Sequence, residues 1–113
     1  MSSALPLRTL KPMAKADQAE PCFVPGDPVA VRAVYPIGHV RTPYYIRGKR
    51  GVIERLCGVY GNPEELAYAR PGLPKQPLYR VRFLQRDVWP EYRGAAADTV
   101  DIEIYQHWLE ADH

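Results

Sequence analysis

The chain has 113 residues and a mass of 12.8 kDa, which is the size of a single domain. Hydrophobic residues make up 46% of the sequence, enough for a compact core, and this share argues against an intrinsically disordered chain. The net charge of +2 at pH 7 is too small either to require or to exclude a nucleic-acid partner.

The composition also limits the fold classes and the cellular compartments that fit the chain. The 12 prolines disfavour long helices and favour short strands joined by ordered loops. Cys22 and Cys57 lie far apart and form no C-x-x-C pair, so they predict neither a disulfide framework nor a zinc site. No apolar run approaches the ~20 residues that span a bilayer, and the N-terminus lacks the features of a signal peptide. We therefore expect a cytoplasmic protein.

The chain begins with a segment that has no sustained hydrophobic period. We expect residues 1–21 to form a flexible N-terminal arm and residues 22–113 to form the folded domain. The first strand is predicted within residues 23–34, where a turn at Pro25-Gly26-Asp27 precedes an alternation that puts Val29 and Val31 on one face. Residues 35–49 contain two prolines, two glycines and no clean period, which indicates a long ordered loop.

Alternating segments continue along the rest of the chain. A second strand is predicted over residues 51–58, followed by a loop at 60–77 with one helical turn at 64–68. The clearest strand is residues 78–84, in which Tyr79, Val81 and Phe83 share one face while Arg80 and Arg82 lie on the other. Cys57 falls where we expect a buried, inert thiol.

The C-terminal part adds the last predicted elements. Residues 99–104 alternate again, and the closing Y-Q-H-W-L-E is predicted to form one helical or 3₁₀ turn before a final short strand. Four or five short strands without β-α-β alternation disfavour a parallel sheet and favour a small barrel over a sandwich. The sequence therefore predicts a mainly β fold.

The chemistry-bearing residues do not make a self-contained active site. The three histidines, at positions 39, 107 and 113, form no H-x-x-x-H pair, and Cys22 has no neighbouring base. The acidic residues are scattered over strand faces and loops, where solvated charge is the ordinary explanation. We therefore expect no activity from this chain alone.

One loop carries two arginines six residues apart, Arg41 and Arg47, between Pro36, Pro43 and several aromatic side chains. The planar fork of a guanidinium matches oxyanions such as carboxylate, phosphate or sulfinate. The spacing alone also fits arginines that merely solvate the loop or stack on Tyr44 and Tyr45. The residues by themselves leave both interpretations open.

Several motifs in sequence order resemble one known family. They are F-V-P-G-D-P-V-A-V, G-H-V-R-T-P-Y-Y-I-R-G-K-R-G-V-I, Y-R-V-R-F, D-V-W, D-T-V-D-I-E-I and Y-Q-H-W-L-E. Together they cover about residues 23–110 and are similar to the C-terminal barrel half of the nitrile hydratase β subunit. The resemblance implies a small SH3-like, partly open barrel. It also implies one subunit of a lyase that hydrates nitriles to amides.

The resemblance further implies a partner and a role for each loop residue. In this family an α subunit holds Fe(III) or Co(III) in a C-x-x-C-S-C motif with oxidised cysteines, and the β subunit binds no metal. By position in the motif, Arg41 matches an arginine that hydrogen-bonds to those sulfur oxygens. His39, Tyr44, Tyr45 and Arg47 are expected to support the loop, the substrate side or the subunit interface.

Departures from the family pattern leave the substrate open. Only about twenty residues precede the barrel motifs, so we expect the helical N-terminal half to be a separate small subunit, as in thiocyanate hydrolase and toyocamycin nitrile hydratase. The string Q-R-D-V-W-P-E-Y resembles the thiocyanate hydrolase barrel, whereas Gly38-His39 before Arg41 is the nitrile hydratase form. The expected substrate is a small nitrile, or alternatively thiocyanate.

A third hypothesis belongs to a different class. R-G-K-R-G-V-I-E-R-L resembles the strand entry of KOW-type RNA-binding barrels, in which Arg47, Lys49, Arg50 and Arg55 would grip phosphates. The small net charge and the family resemblance across several segments disfavour nucleic acid. A metallochaperone for the α subunit is disfavoured because such activators resemble the helical half rather than the barrel.

Overall fold

Five antiparallel strands form a single sheet in the computed structural model of the protein, which describes residues 17–36, 38 and 40–112. Two helical turns, α1 (Pro63–Leu66) and α2 (Gln85–Val88), and two 3₁₀ turns, Tyr44–Ile46 and Gln106–Trp108, connect them. The strands are β1 (Pro28–Val31), β2 (Arg50–Tyr60), β3 (Gln76–Leu84), β4 (Thr99–Tyr105) and β5 (Leu109–Ala111).

The strand order explains the shape of the sheet. It runs β4-β3-β2-β1-β5, so β1 pairs with both β2 and β5, and β4 and β5 are the two edges. The two edges do not pair with each other among the described residues, and the sheet is therefore a curled but open layer. The prediction of a mainly β, partly open barrel is confirmed.

The core follows from the period-two pattern of the strands. Tyr79, Val81 and Phe83 of β3 are each at most 1% exposed, as their alternation predicted, while Arg80 and Arg82 lie outside. Burying a large apolar side chain of this kind stabilises the fold by roughly 1.5–3 kcal/mol. The other members of the central cluster come from the other four strands and from three of the turns: Val29, Val31, Ile46, Ile53, Val88, Ile104, Trp108 and Leu109.

Two β-bulges in β2 overturn the expectation for Cys57. The pairing with β3 shifts between Ile53 and Arg55 and again between Leu56 and Gly58, so Glu54 and Cys57 are extra residues without a partner in the ladder. Each extra residue reverses the alternation that follows it. The prediction of a buried Cys57 is wrong, since its side chain is partly exposed and its Sγ lies 3.9 Å from Glu103 Oε2.

The long loop between β1 and β2 is ordered around a buried anchor. Ile46, in the first 3₁₀ turn, is 0% exposed and belongs to the core cluster. The backbone then reverses at Gly48, whose φ of +80° lies in the left-handed region that favours glycine. The amide of Gly48 donates to the Val31 carbonyl at 2.9 Å, which closes the loop onto the end of β1.

The described end of the predicted N-terminal arm lies against the sheet. The amide of Ala19 donates to the Lys75 carbonyl, and the amide of Lys75 donates to the Asp17 carbonyl, both at 2.8 Å. Gln106 Nε2 donates to the Glu20 carbonyl at 2.9 Å. The rest of the arm, residues 1–16, lies outside the described residues, and the boundary at residue 21 stays a prediction. The helices in the described part of the chain lack the length and apolar character that a membrane-spanning helix requires.

Candidate functional site

Arg47 holds the long loop together through hydrogen bonds to the loop's own backbone. Its Nη2 donates to the Thr42 carbonyl at 2.9 Å and its Nη1 donates to the Val34 carbonyl at 3.3 Å. Its guanidinium carbon lies 4.9 Å from the centroid of the Trp108 ring and also faces Tyr35 and Tyr44, at 5.5 and 5.7 Å. These contacts join both ends of the loop to the second 3₁₀ turn.

Arg41 lies in the same loop but is exposed to solvent. Its guanidinium carbon is 5.8 Å from the centroid of the Tyr105 ring, at the end of β4. Among the described residues no acidic side chain lies within ion-pair distance of it. Its neighbour Thr42 is only 4% exposed, so the backbone that carries Arg41 is held in place while its donors stay available.

The two predicted tyrosines have different surroundings. Tyr44 is 72% exposed and lies against Tyr35, with ring centroids 4.9 Å apart. Tyr45 stacks on Trp89, at 5.0 Å and an interplanar angle of 27°. The stacking alternative for the arginines therefore applies to Arg47 on Tyr44, whereas Arg41 lies over a different ring. His39 lies outside the described residues, although its neighbour Gly38 is described.

A polar cluster that sequence reasoning missed lies beneath this loop. Glu64 Oε1 accepts from the indole Nε1 of Trp108 at 2.9 Å and lies 2.7 Å from His107 Nε2. A carboxylate oxygen only accepts, so Nε2 of His107 carries the hydrogen of that contact. Glu64 was expected to be a solvated acid, but its side chain is only 23% exposed. A buried tryptophan needs a hydrogen-bond acceptor for its indole N–H, and this requirement was the one signal in the sequence that pointed to a polar partner for Trp108.

An open groove borders this cluster. Its volume is about 520 Å³, and it is lined by Glu64, His107 and Trp108 on one side and by the start of the long loop on the other: Arg32, Val34, Tyr35 and Pro36. The amide of Arg32 donates to the Trp108 carbonyl at 2.9 Å, which keeps the two sides together. Apolar and aromatic walls that carry a small number of polar groups are typical of a site for a small ligand or a partner side chain.

Two of the four cations in the basic stretch that suggested RNA binding are ion-paired. Arg50 pairs with Asp112 at 3.6 Å, Arg55 pairs with Glu54 at 3.5 Å, and Arg47 is occupied by the loop. The second arginine group, on β3, is paired across the sheet with acidic residues of β4. In that pairing the hydrogen bonds from Arg82 lower the pKa of the Asp101 carboxyl.

Metal-binding side chains do not cluster in the described part of the chain. No group of three or more His, Cys, Asp or Glu side chains is placed there to hold a metal ion. Cys22, next to the arm, is exposed, and its pKa is raised chiefly by desolvation. The site therefore offers a free guanidinium, an aromatic surface and a polar cluster.

Comparisons with known proteins agree in pointing to one family. The profile described as "Nitrile hydratase beta subunit, C-terminal" matches residues 12–111. Nitrile hydratase subunit beta of Pseudomonas chlororaphis is 36% identical over 93 residues, which are 80% of this chain and 40% of that protein. Thiocyanate hydrolase subunit alpha of Thiobacillus thioparus is 36% identical over 91 residues, which are 78% of this chain and 70% of that protein.

A solved structure matches as well. The recombinant apo-enzyme of thiocyanate hydrolase from Thiobacillus thioparus superposes with a TM-score of 0.78 and 31% sequence identity, over 85% of this chain and 80% of that chain. Against the Pseudomonas nitrile hydratase β subunits, by contrast, this chain spans only 40% of their length.

Proposed function

Since this chain belongs to the family defined by the C-terminal domain of the nitrile hydratase β subunit, we propose that it is the barrel subunit of a nitrile hydratase-type metalloenzyme. In this proposal the chain carries no metal and is inactive alone. It contributes Arg41 to a metal centre held by a partner, and the assembled enzyme is a lyase that hydrates a nitrile to an amide. The observation that supports the proposal most directly is the exposed Arg41 guanidinium, which has no acidic partner among the described residues.

The role of Arg41 follows from its chemistry and its surroundings. An arginine without an acidic partner retains its hydrogen-bond donors for an external oxyanion. Oxidised cysteine ligands carry such oxygens, and a guanidinium that donates to them stabilises their charge and fixes their orientation. The bound Fe(III) or Co(III) would supply Lewis acidity toward the substrate. The contribution of this chain is to present Arg41 from a loop that Arg47 and Ile46 hold in shape.

The proposal requires partner chains. The first is an α subunit with a C-x-x-C-S-C motif, and the second is a separate helical subunit equivalent to the N-terminal half of the fused β subunits. We assign Tyr44 to the interface with the α subunit, because a tyrosine that is 72% exposed beside Arg41 gains most from being covered. The proposed compartment is the cytoplasm, since Cys22 and Cys57 are both unpaired.

Thiocyanate is the second candidate substrate. Two observations favour it: the 70% coverage of the thiocyanate hydrolase subunit alpha and the superposition on the thiocyanate hydrolase chain. In addition, Trp89 of the string Q-R-D-V-W-P-E-Y stacks on Tyr45 of the long loop, so the segment that resembles thiocyanate hydrolase touches the candidate site. Thiocyanate, like a small nitrile, presents a linear C≡N group.

The test is the variant Arg41→Lys in the enzyme co-expressed with the partner that carries C-x-x-C-S-C. Lysine keeps the charge but loses the fork, so activity toward the preferred substrate, nitrile or thiocyanate, should fall about 10- to 100-fold. The unfolding midpoint of the barrel should not change, because Arg41 makes no hydrogen bond or ion pair with the described residues. Arg50→Lys, in an exposed ion pair with Asp112, is the matched control and should keep full activity. Full activity of Arg41→Lys would refute the assignment of Arg41.

A further inference from the structure

The cluster of Glu64, His107 and Trp108 has no part in the function proposed so far, although its Trp108 ring lies against Arg47 of the Arg41 loop. Glu64 comes from α1, and the two donors come from the second 3₁₀ turn, more than forty residues away in sequence. One carboxylate oxygen therefore joins the connection between β2 and β3 to the connection between β4 and β5. Both of these connections face the loop that carries Arg41.

Local structure fixes the position of Glu64. Asn62 caps α1, and its Oδ1 accepts from the Glu64 amide at 3.0 Å. The same connection approaches the Arg41 loop from another side, because the Tyr68 hydroxyl occupies the space that a Cβ on Gly38 would need. Gly38 has a φ of +109°, a backbone conformation that favours glycine.

Trp108 carries the effect of Glu64 to the loop. Its indole is 4% exposed, and Glu64 Oε1 is the acceptor that satisfies the indole N–H. The Arg47 guanidinium lies over the same indole ring, with its carbon 4.9 Å from the ring centroid. An indole that loses its acceptor inside the core either leaves a donor unsatisfied or rotates, and rotation moves the surface on which Arg47 rests.

Arg47 in turn sets the backbone next to Arg41. It donates to the carbonyl of Thr42, the residue that follows Arg41, and to that of Val34 on the other side of the loop. Its Nε has no hydrogen-bond partner among the described residues, so the guanidinium depends on the two carbonyls and the aromatic rings for its placement. The sequence of contacts therefore runs from Glu64 through Trp108 and Arg47 to the backbone that presents Arg41.

We infer that Glu64 is a positioning residue for the Arg41 loop, which it holds in place through the Trp108 indole and the Arg47 guanidinium. The link from loop order to activity rests on the proposed function of Arg41. The link from Glu64 to loop order concerns this chain alone and is tested on it directly. His107 takes part as the second donor to the same carboxylate oxygen.

The experiment measures amide hydrogen exchange in the full chain and activity in the assembled enzyme. In Glu64→Ala the amides of Ile46 and Arg47, which are hydrogen-bonded within the loop, should exchange about 5- to 10-fold faster. Amides at the centre of β3, such as that of Val81, should keep their rates. Glu64→Gln keeps the Oε1 acceptor and should restore the native rates to within about twofold. The matched control is Glu65→Ala on the same helical turn, which breaks only the exposed pair with Arg70 and should leave the loop unchanged.

In the assembled enzyme, Glu64→Ala should lower kcat about 5- to 10-fold with little change in KM, because Arg41 acts on the metal ligands rather than on substrate binding. If the amides of Ile46 and Arg47 exchange at the native rates in Glu64→Ala, the inference is overturned. It is also overturned if these amides exchange as fast in Glu64→Gln as is expected for Glu64→Ala. If Glu64→Ala unfolds the barrel, Trp108→Phe removes the same hydrogen bond while keeping a ring under Arg47, and it must then speed exchange at the same amides. Faster loop exchange together with a fully active Arg41→Lys enzyme would instead refute the function proposed for Arg41.

Discussion

At the scale of single residues, the two arginines of the long loop differ in what their donors are used for. Arg47 directs its donors to the Thr42 and Val34 carbonyls and lies against three aromatic rings, so it is part of the structure of the loop. Arg41 uses no donor within the described residues and is exposed. The motif singled out both arginines without distinguishing them by their surroundings. In the structure Arg47 supports the loop from within, whereas the donors of Arg41 are available to a partner.

The difference predicts the stability of an Arg47 variant. Arg47→Lys cannot reach both carbonyls and cannot stack as a plane, so the free energy of unfolding should fall by about 1–3 kcal/mol. Urea denaturation of the full chain measures this change. The control Arg50→Lys, in an ion pair whose arginine is 77% exposed, should stay within about 0.5 kcal/mol of the native chain. Equal losses for the two variants would contradict a structural role specific to Arg47.

At the scale of elements, the sheet combines one regular strand pair with one irregular pair. The β3–β4 ladder runs without interruption, and on its outer face Arg80 pairs with Glu103 and Arg82 pairs with Asp101. The β2–β3 ladder contains two bulges, which curve β2 and allow the sheet to reach β1 and β5. The regular pair carries the charge ladder, and the irregular pair provides the curvature of the barrel.

The charge ladder predicts how stability depends on pH. The two hydrogen bonds from Arg82 lower the pKa of Asp101, so the folded carboxyl holds its proton less tightly than the unfolded one. The stability gained from this pair is therefore present above the ordinary pKa of aspartate and is lost as the pH falls through the lowered folded pKa. In Asp101→Asn the free energy of unfolding should decline less steeply between about pH 5 and about pH 2.

Chemical denaturation at a series of pH values in that acidic range measures the slope. Arg82→Gln removes the same pair of hydrogen bonds from the other side, so it should flatten the curve in the same window. A native slope in both variants would show that other carboxyl groups account for the acid sensitivity.

At the scale of the whole molecule, half of the arginines and lysines in the described part of the chain are held in ion pairs. Within the described part of the chain six arginines are ion-paired: Arg32, Arg50, Arg55, Arg70, Arg80 and Arg82. A nucleic-acid surface needs clustered cations that are free to replace counterions. The arrangement therefore disfavours a module that tracks a phosphate backbone.

This arrangement predicts weak binding to RNA. The full chain should bind a single-stranded RNA oligonucleotide with a Kd weaker than about 100 μM at physiological salt. The affinity should also change little when the salt concentration is raised, because few counterions would be released. Fluorescence anisotropy at several salt concentrations measures both quantities. Tight binding with a steep salt dependence would revive the RNA-binding interpretation of residues 47–55.

Features that depend on neighbouring residues were predictable from the sequence, and features that depend on distant contacts were not. Alternation predicted β3, with Tyr79, Val81 and Phe83 inside, and it also predicted β4 and the turn that leads into β5. It failed at Cys57, because a bulge adds a residue whose presence only the pairing of two strands reveals. It also missed Glu64, since no local pattern distinguishes a solvated glutamate from one that accepts a distant indole N–H.

The sequence by itself determined the mainly β class, the order of the strands along the chain, the family and the loop that holds Arg41 and Arg47. These features depend on side-chain periodicity and short motifs, which act over a few neighbouring residues. The tertiary structure decided which arginine stays free, which carboxylate supports the loop and which cations are neutralised. Those outcomes depend on contacts between residues far apart in the chain, and such contacts exist only once the sheet has curled and brought its connections together.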